Sequence, residues 1–111
     1  MANNFKRKLT SNVSNTYVSV GSYTVPASNQ VTIIGLTLSN KTTGQISVDT
    51  SIDNGTSNTF LIVSAPVPSG ASLVIVGGDQ KVVLEPGDRV LVRSDTANSA
   101  DIIMSILEIT S

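Results

Sequence analysis

Cysteine, histidine and tryptophan are all missing from this 111-residue chain. Without histidine there is no side chain whose ordinary pKa lies near neutrality, so a ready general acid–base and the commonest metal ligand are absent. Without cysteine there is no thiolate nucleophile, no disulfide and no zinc–thiolate site. A serine nucleophile needs an activating base, and only an unusual lysine arrangement would supply one here. Aromatic residues come down to two Tyr and two Phe, which leaves few flat rings to stack on sugars or bases. Charged residues make up only 14%, and no hydrophobic run approaches the length of a membrane span. The expectation is a protein that is not an enzyme, uses no cofactor and no metal, and does not enter a membrane.

What is present is a series of short β-branched segments set among Ser, Thr, Asn and Gly. Sixteen Ser, twelve Thr and nine Asn supply 37 residues, while 14 Val and 10 Ile favour strands over helices. The length suits a single domain with one modest core. The formal net charge of −1 hides an asymmetry, because Lys6, Arg7 and Lys8 are three of only seven basic residues. The chain therefore reads as a polar, basic arm over residues 1–14 and a mildly acidic domain over residues 15–111. No apolar stretch follows the basic residues, so the N-terminus does not read as a secretory signal. Synthesis and assembly in a cytoplasm are expected.

Strand signals are regular from Thr16 onward. Segments 17–23, 31–39, 46–53, 59–64, 72–76, 81–84, 88–94 and 101–109 carry β-branched or alternating patterns, and turn residues separate them. The cleanest alternation puts Ile46, Val48, Thr50 and Ile52 inside and Ser47, Asp49, Ser51 and Asp53 outside. Asn54-Gly55 marks a hairpin, and Gly35 in mid-strand marks a bulge or a close backbone approach. Gly77-Gly78-Asp79-Gln80 reads as a tight connection. About eight short strands at this spacing predict an all-β, single-domain antiparallel β-sandwich, jelly-roll or Ig-like.

Segments 31–38, 73–76 and 102–109 are apolar on both faces, whereas one sandwich buries only one face of each sheet. Either neighbouring elements cover the second face or another subunit does. Segment 101–109 is the candidate subunit contact, with Ile103, Leu107 and Ile109 on one face and Ile102, Met104 and Ile106 on the other. In the arm, Phe5 and Leu9 flank Lys6, Arg7 and Lys8, a pattern that suits docking on a partner protein. Three charges on an acidic protein give only a weak nonspecific attraction to phosphates, so nucleic acid is not the expected partner.

Candidate chemistry elsewhere is sparse. Asp49 and Asp53 share a strand face but lie about 13 Å apart, too far for one metal ion. Asp53-Asn54-Gly55 starts like a calcium loop without the later ligands. Asp79, Glu85 and Asp88 are ordinary loop acids. Gly77-Gly78 lacks the Gly-Lys-Ser/Thr ending of a phosphate loop. The sequons at Asn12, Asn40 and Asn54 arise readily in so Asn- and Ser-rich a chain.

Tyr23-Thr24-Val25-Pro26-Ala27 leads into an apolar strand ending at Asn40. Ala65-Pro66-Val67-Pro68 precedes another apolar strand, then the turn Leu84-Glu85-Pro86-Gly87-Asp88 and a last strand ending Glu108-Ile109. From about Tyr23 to Ile109 this resembles small all-β virion structural proteins of tailed bacteriophages, of the marine and cyanobacterial phage type. The resemblance implies a noncatalytic virion component, a capsid decoration protein or a neck or tail piece. Its partners would be other virion proteins and further copies of itself, and it would be located in the virion after assembly in the host cytoplasm. No functional residue is carried over. The alternative is a carbohydrate- or cell-surface-binding β-sandwich module, for which Tyr17, Tyr23 and Phe60 are the available rings.

Overall fold

The computed structural model describes residues 2–110; Met1 and Ser111, the outer limits of the expected arm and domain, lie outside them. The described residues form β1 (Ala2–Val13), β2 (Val18–Ser19), a 3-10 turn (Val20–Ser22), β3 (Asn29–Asn40), β4 (Ile46–Asp53) and β5 (Asn58–Val67). They continue with β6 (Ser72–Val76), β7 (Val82–Leu84), β8 (Arg89–Ser94) and β9 (Ala100–Thr110).

The antiparallel pairing is nested. The β4–β5 hairpin is innermost; β3 with β6 and β7 encloses it, then β2 with β8, then β1 with β9. Further pairing of β9 with β3 and of β8 with β4 closes two sheets, ordered β1-β9-β3-β6 (with β7 also on β3) and β2-β8-β4-β5. Nested hairpins rolled up in this way are a jelly roll. The sequence's all-β sandwich is thus the observed fold, in its jelly-roll form.

The core lies between the sheets. Val31, Ile33, Leu36, Leu38, Ile102, Met104 and Ile106 come from one sheet, and Ile46, Val48, Val90 and Val92 from the other. Strand β3 looks apolar on both sides in sequence because its phase switches. Its pairing with β9 shifts register between Ile33 and Gly35, so Val31 and Ile33 before the bulge and Leu36 and Leu38 after it all point inward. The irregularity expected at Gly35 is this bulge.

Two segments differ in kind from the sequence reading. Residues 2–13, expected as an arm outside the domain, are an edge strand that pairs with β9 from Ala2↔Thr110 to Val13↔Ala100. The strand expected over 17–23 stops after Ser19, because Gly21 (φ +62°) and Ser22 (φ +53°) turn the backbone. That turn rotates both Val20 and Tyr23 into the interior. The tight connection expected at Gly77-Gly78-Asp79-Gln80 is present, its Gln80 N–H donating to the Gly77 carbonyl oxygen at 3.1 Å, and it leaves the chain running in the same direction. Strands β6 and β7 both lie antiparallel to β3, one after the other, as one interrupted edge strand.

Candidate assembly face and polar cleft

Alternation along β9 sends Ile102, Met104 and Ile106 inward and Ile103, Ser105, Leu107 and Ile109 outward. Cross-strand partners share a face, so the register identifies what surrounds them. Leu9 pairs with Ile103, Ile103 with Thr37, and Thr37 with Val74. Phe5 pairs with Leu107, Leu107 with Thr32, and Thr32 with Val83. Two apolar rows therefore cross the outer face of the β1-β9-β3-β6 sheet, with Arg7, Ser105 and Gly35 between them. Among the described residues, seven large apolar side chains are exposed, and five of them (Phe5, Leu9, Val74, Val83 and Ile103) stand on this face.

The structure thus brings the two groups of expected site residues together. Phe5, Leu9 and Arg7 from the first segment face the same way as Ile103, Leu107 and Ile109. Lys6 and Lys8 do not join them, since they alternate to the inner side of β1. Lys6 Nζ sits 2.8 Å from the buried Glu108 carboxylate, and Lys8 Nζ lies 4.7 Å from the centre of the Tyr23 ring. Val83 was not singled out in the sequence, and Val74 only as part of segment 73–76, apolar on both faces. Their alternation with buried neighbours was visible, but their place beside Ile103 and Leu107 depends on long-range pairing.

Glu108 is 4% exposed and accepts a 2.5 Å hydrogen bond from the Tyr23 hydroxyl. The Lys6 ammonium, together with the Tyr23 hydroxyl, holds the Glu108 carboxyl below its ordinary value. Burial and the nearby carboxylate push the Tyr23 hydroxyl up. The site ties β1 to the body of the sandwich.

The other sheet presents a wet face. Asp49 and Asp53, the expected outward acids, each meet an arginine of β8. Arg93 Nη2 lies 2.8 Å from Asp49 Oδ2, and Arg89 Nε lies 2.7 Å from Asp53 Oδ2. Burial raises the Asp49 carboxyl, but hydrogen bonds from Arg93 and from the Ser64 backbone N–H outweigh it and leave it lowered. Beside this pair is a cleft of about 260 Å³ lined by Asn15, Ser47, Asp49, Ser64, Arg93, Ser94 and Asp95. Asn15, Ser64 and Arg93 had no distinguishing signal in the sequence. No group of three His, Cys, Asp or Glu able to hold a metal occurs among the described residues, and none of their helices is long and apolar enough to cross a membrane.

No protein-family model and no curated protein matches the chain. Among solved structures it is similar to a subunit from Bacillus endospore appendages, a family of disulfide-linked pili, with 13% identity and a TM-score of 0.57 over 98% of this chain and 87% of that one. That likeness is one of fold. Looser likenesses reach a pentameric capsid protein from metagenomic phage sequences (15% identity, TM-score 0.40, 96% of this chain and 60% of that one). They also reach Eiger TNF from S. frugiperda (9% identity, TM-score 0.44, 96% and 94%).

Proposed function

We propose that the chain is a noncatalytic structural subunit of a phage virion, a capsid decoration protein or a neck or tail component, that packs against copies of itself and neighbouring virion proteins through the outer face of the β1-β9-β3-β6 sheet. The observation that carries the reading is the gathering of exposed apolar side chains on that one face. Such side chains scattered singly are ordinary, whereas gathered ones mark an interaction surface. Four strands of about nine residues give a face of roughly 19 by 30 Å, about 600 Å². That approaches the roughly 800 Å² each partner contributes to a standard interface.

The jelly roll alone does not name a role, because function lives in sites and not in folds. It does suit the role: the fold is shared with pilus subunits, and the turn and strand motifs resemble those of virion proteins. Disulfide links of the kind named for those pili are not open to a chain without cysteine. Assembly here is noncovalent, and repetition in a lattice makes modest contacts sufficient.

The test is the mass of the purified chain in solution by light scattering, with and without Ile103→Glu and Leu107→Glu. An oligomer that becomes a folded monomer in the double variant, with unchanged circular dichroism, is the expected result. A wild-type monomer at micromolar concentration overturns the self-packing. Immunolabelling of intact particles tests the location, and its absence from purified virions overturns the virion role.

A further inference from the structure

The cleft on the opposite sheet owes its shape to a defect in strand pairing. Val48 pairs with Ala65 and Thr50 with Ile62, so Val63 and Ser64 together oppose Asp49. Bulges of this kind re-aim side chains and are frequent beside binding sites. Ser64 takes up a left-handed conformation (φ +50°), which an L-residue adopts only at some cost. Its N–H donates to Asp49 Oδ1 at 2.6 Å, while Arg93 Nε and Nη2 hold Asp49 Oδ2 at 3.3 and 2.8 Å. The guanidinium lies 4.5 Å from the centre of the Tyr17 ring, which fixes its plane. On the far wall, Asp95 Oδ1 accepts from the Ser47 N–H at 3.2 Å and the Thr96 hydroxyl at 2.9 Å.

These bonds fix the walls without saturating them. The side chains of Asn15, Ser47 and Ser64 have no hydrogen-bond partner among the described residues, and no apolar side chain lines the cleft. The lining narrows the ligand. Two carboxylates against one guanidinium disfavour an anion, and the guanidinium disfavours a cation. The absence of apolar side chains disfavours a lipid or an aromatic compound. Carboxylates, an amide, hydroxyls and a guanidinium close together offer alternating acceptors and donors, which match vicinal hydroxyl groups. At about 260 Å³ the cleft falls below the range of drug-sized sites, roughly 300 Å³ and upward, and suits one small polar ring.

We propose that this cleft binds one neutral pyranose unit of a saccharide, its adjacent hydroxyls held by Asp49, Arg93 and Asn15, on the face turned away from the assembly surface. The site does not depend on the assembly reading: a monomer could carry it. One neutral sugar ring in so open a site binds weakly alone, and a repeated array of subunits would convert that into avidity.

Saturation-transfer difference NMR on the full chain, with glucose, galactose, mannose, N-acetylglucosamine and sialic acid each at millimolar concentration, tests the proposal. Saturable transfer from at least one neutral sugar is expected. Asn15→Ala and Ser47→Ala, whose side chains have no hydrogen-bond partner among the described residues, should each weaken it by roughly threefold to tenfold. Arg93→Ala should abolish it. No transfer from any neutral sugar overturns the proposal, and so does transfer that survives all three substitutions. Preference for sialic acid alone overturns the neutral class.

Discussion

Thr50 and Ser51 are buried hydroxyl residues whose oxygens have no hydrogen-bond partner among the described residues. They lie where β4 and β5 twice lose register. Thr50 faces the core between Val48 and Ile52, so replacing its hydroxyl by methyl removes an unmet polar group at nearly constant shape. Thr50→Val should stabilise the protein by about 1 kcal/mol, read as a rise in thermal midpoint. No change or a loss would mean that Thr50 has a partner in solution.

Glu108 behaves in the opposite sense. Its folded-state pKa is lowered by Lys6 and Tyr23, so its stabilisation is present above the ordinary glutamate range. That stabilisation is lost as pH falls through the folded value. Lys6 is 44% exposed, so solvent screens part of the pair. Glu108→Gln should therefore cost about 1 kcal/mol at neutral pH. The gap between variant and wild type should close as pH drops below about 4. Asp49, Asp53 and Asp101 are lowered as well, so both proteins lose stability in acid; only the gap reports on Glu108. A gap that stays constant into acid would exclude the carboxylate as its source.

At the scale of elements, β1 depends on the turn beneath it. A Cβ on Gly21 would lie 2.6 Å from Lys8 Cβ and 3.1 Å from Lys8 Cα, at a backbone angle of φ +62°. Gly21→Ala should cost about 2 kcal/mol or more and should raise amide exchange in β1 before β3. Uniform loss of protection would show that β1 does not open on its own. The same strand explains where sequence reading succeeded and failed. Strand β4 was legible because apolar residues alternate with polar ones, with a hairpin signal at Asn54-Gly55; β5 and β8 were less so, since Phe60 and Val63 stay exposed on β5 and Leu91 is buried on β8. Strand β1 was not, because its inward positions hold Lys6 and Lys8. Their partners, Glu108 and Tyr23, are distant in sequence, so no local period records them. The apolar face was half legible: β1 drew notice as an arm, β9 as a contact, and β3 and β6 as apolar on both faces, but only the register unites them. The polar cleft was illegible, since it rests on a bulge and a left-handed serine that no residue type announces.

For the whole molecule the two sheets differ on their outer faces: one gathers five exposed large apolar side chains, while the other pairs Asp49 and Asp53 with arginines and exposes only Phe60 and Val63 of that kind among the described residues. Among the described residues, Arg7 is the one charged side chain between the two apolar rows. Self-association driven by such a face should survive high salt, whereas docking through a basic arm would be screened away. Light scattering across a salt series distinguishes them, and dissociation at high salt would point back to the charges.

The pairing of Ala2 with Thr110 has a consequence for the integrity of the outer face. Phe5 and Leu9 lie near one end of the described residues, and Leu107 and Ile103, which complete their rows, near the other. A chain clipped within β9 would therefore lose both apolar rows together. If this face is the assembly surface proposed above, only a chain with both strands in place carries it whole.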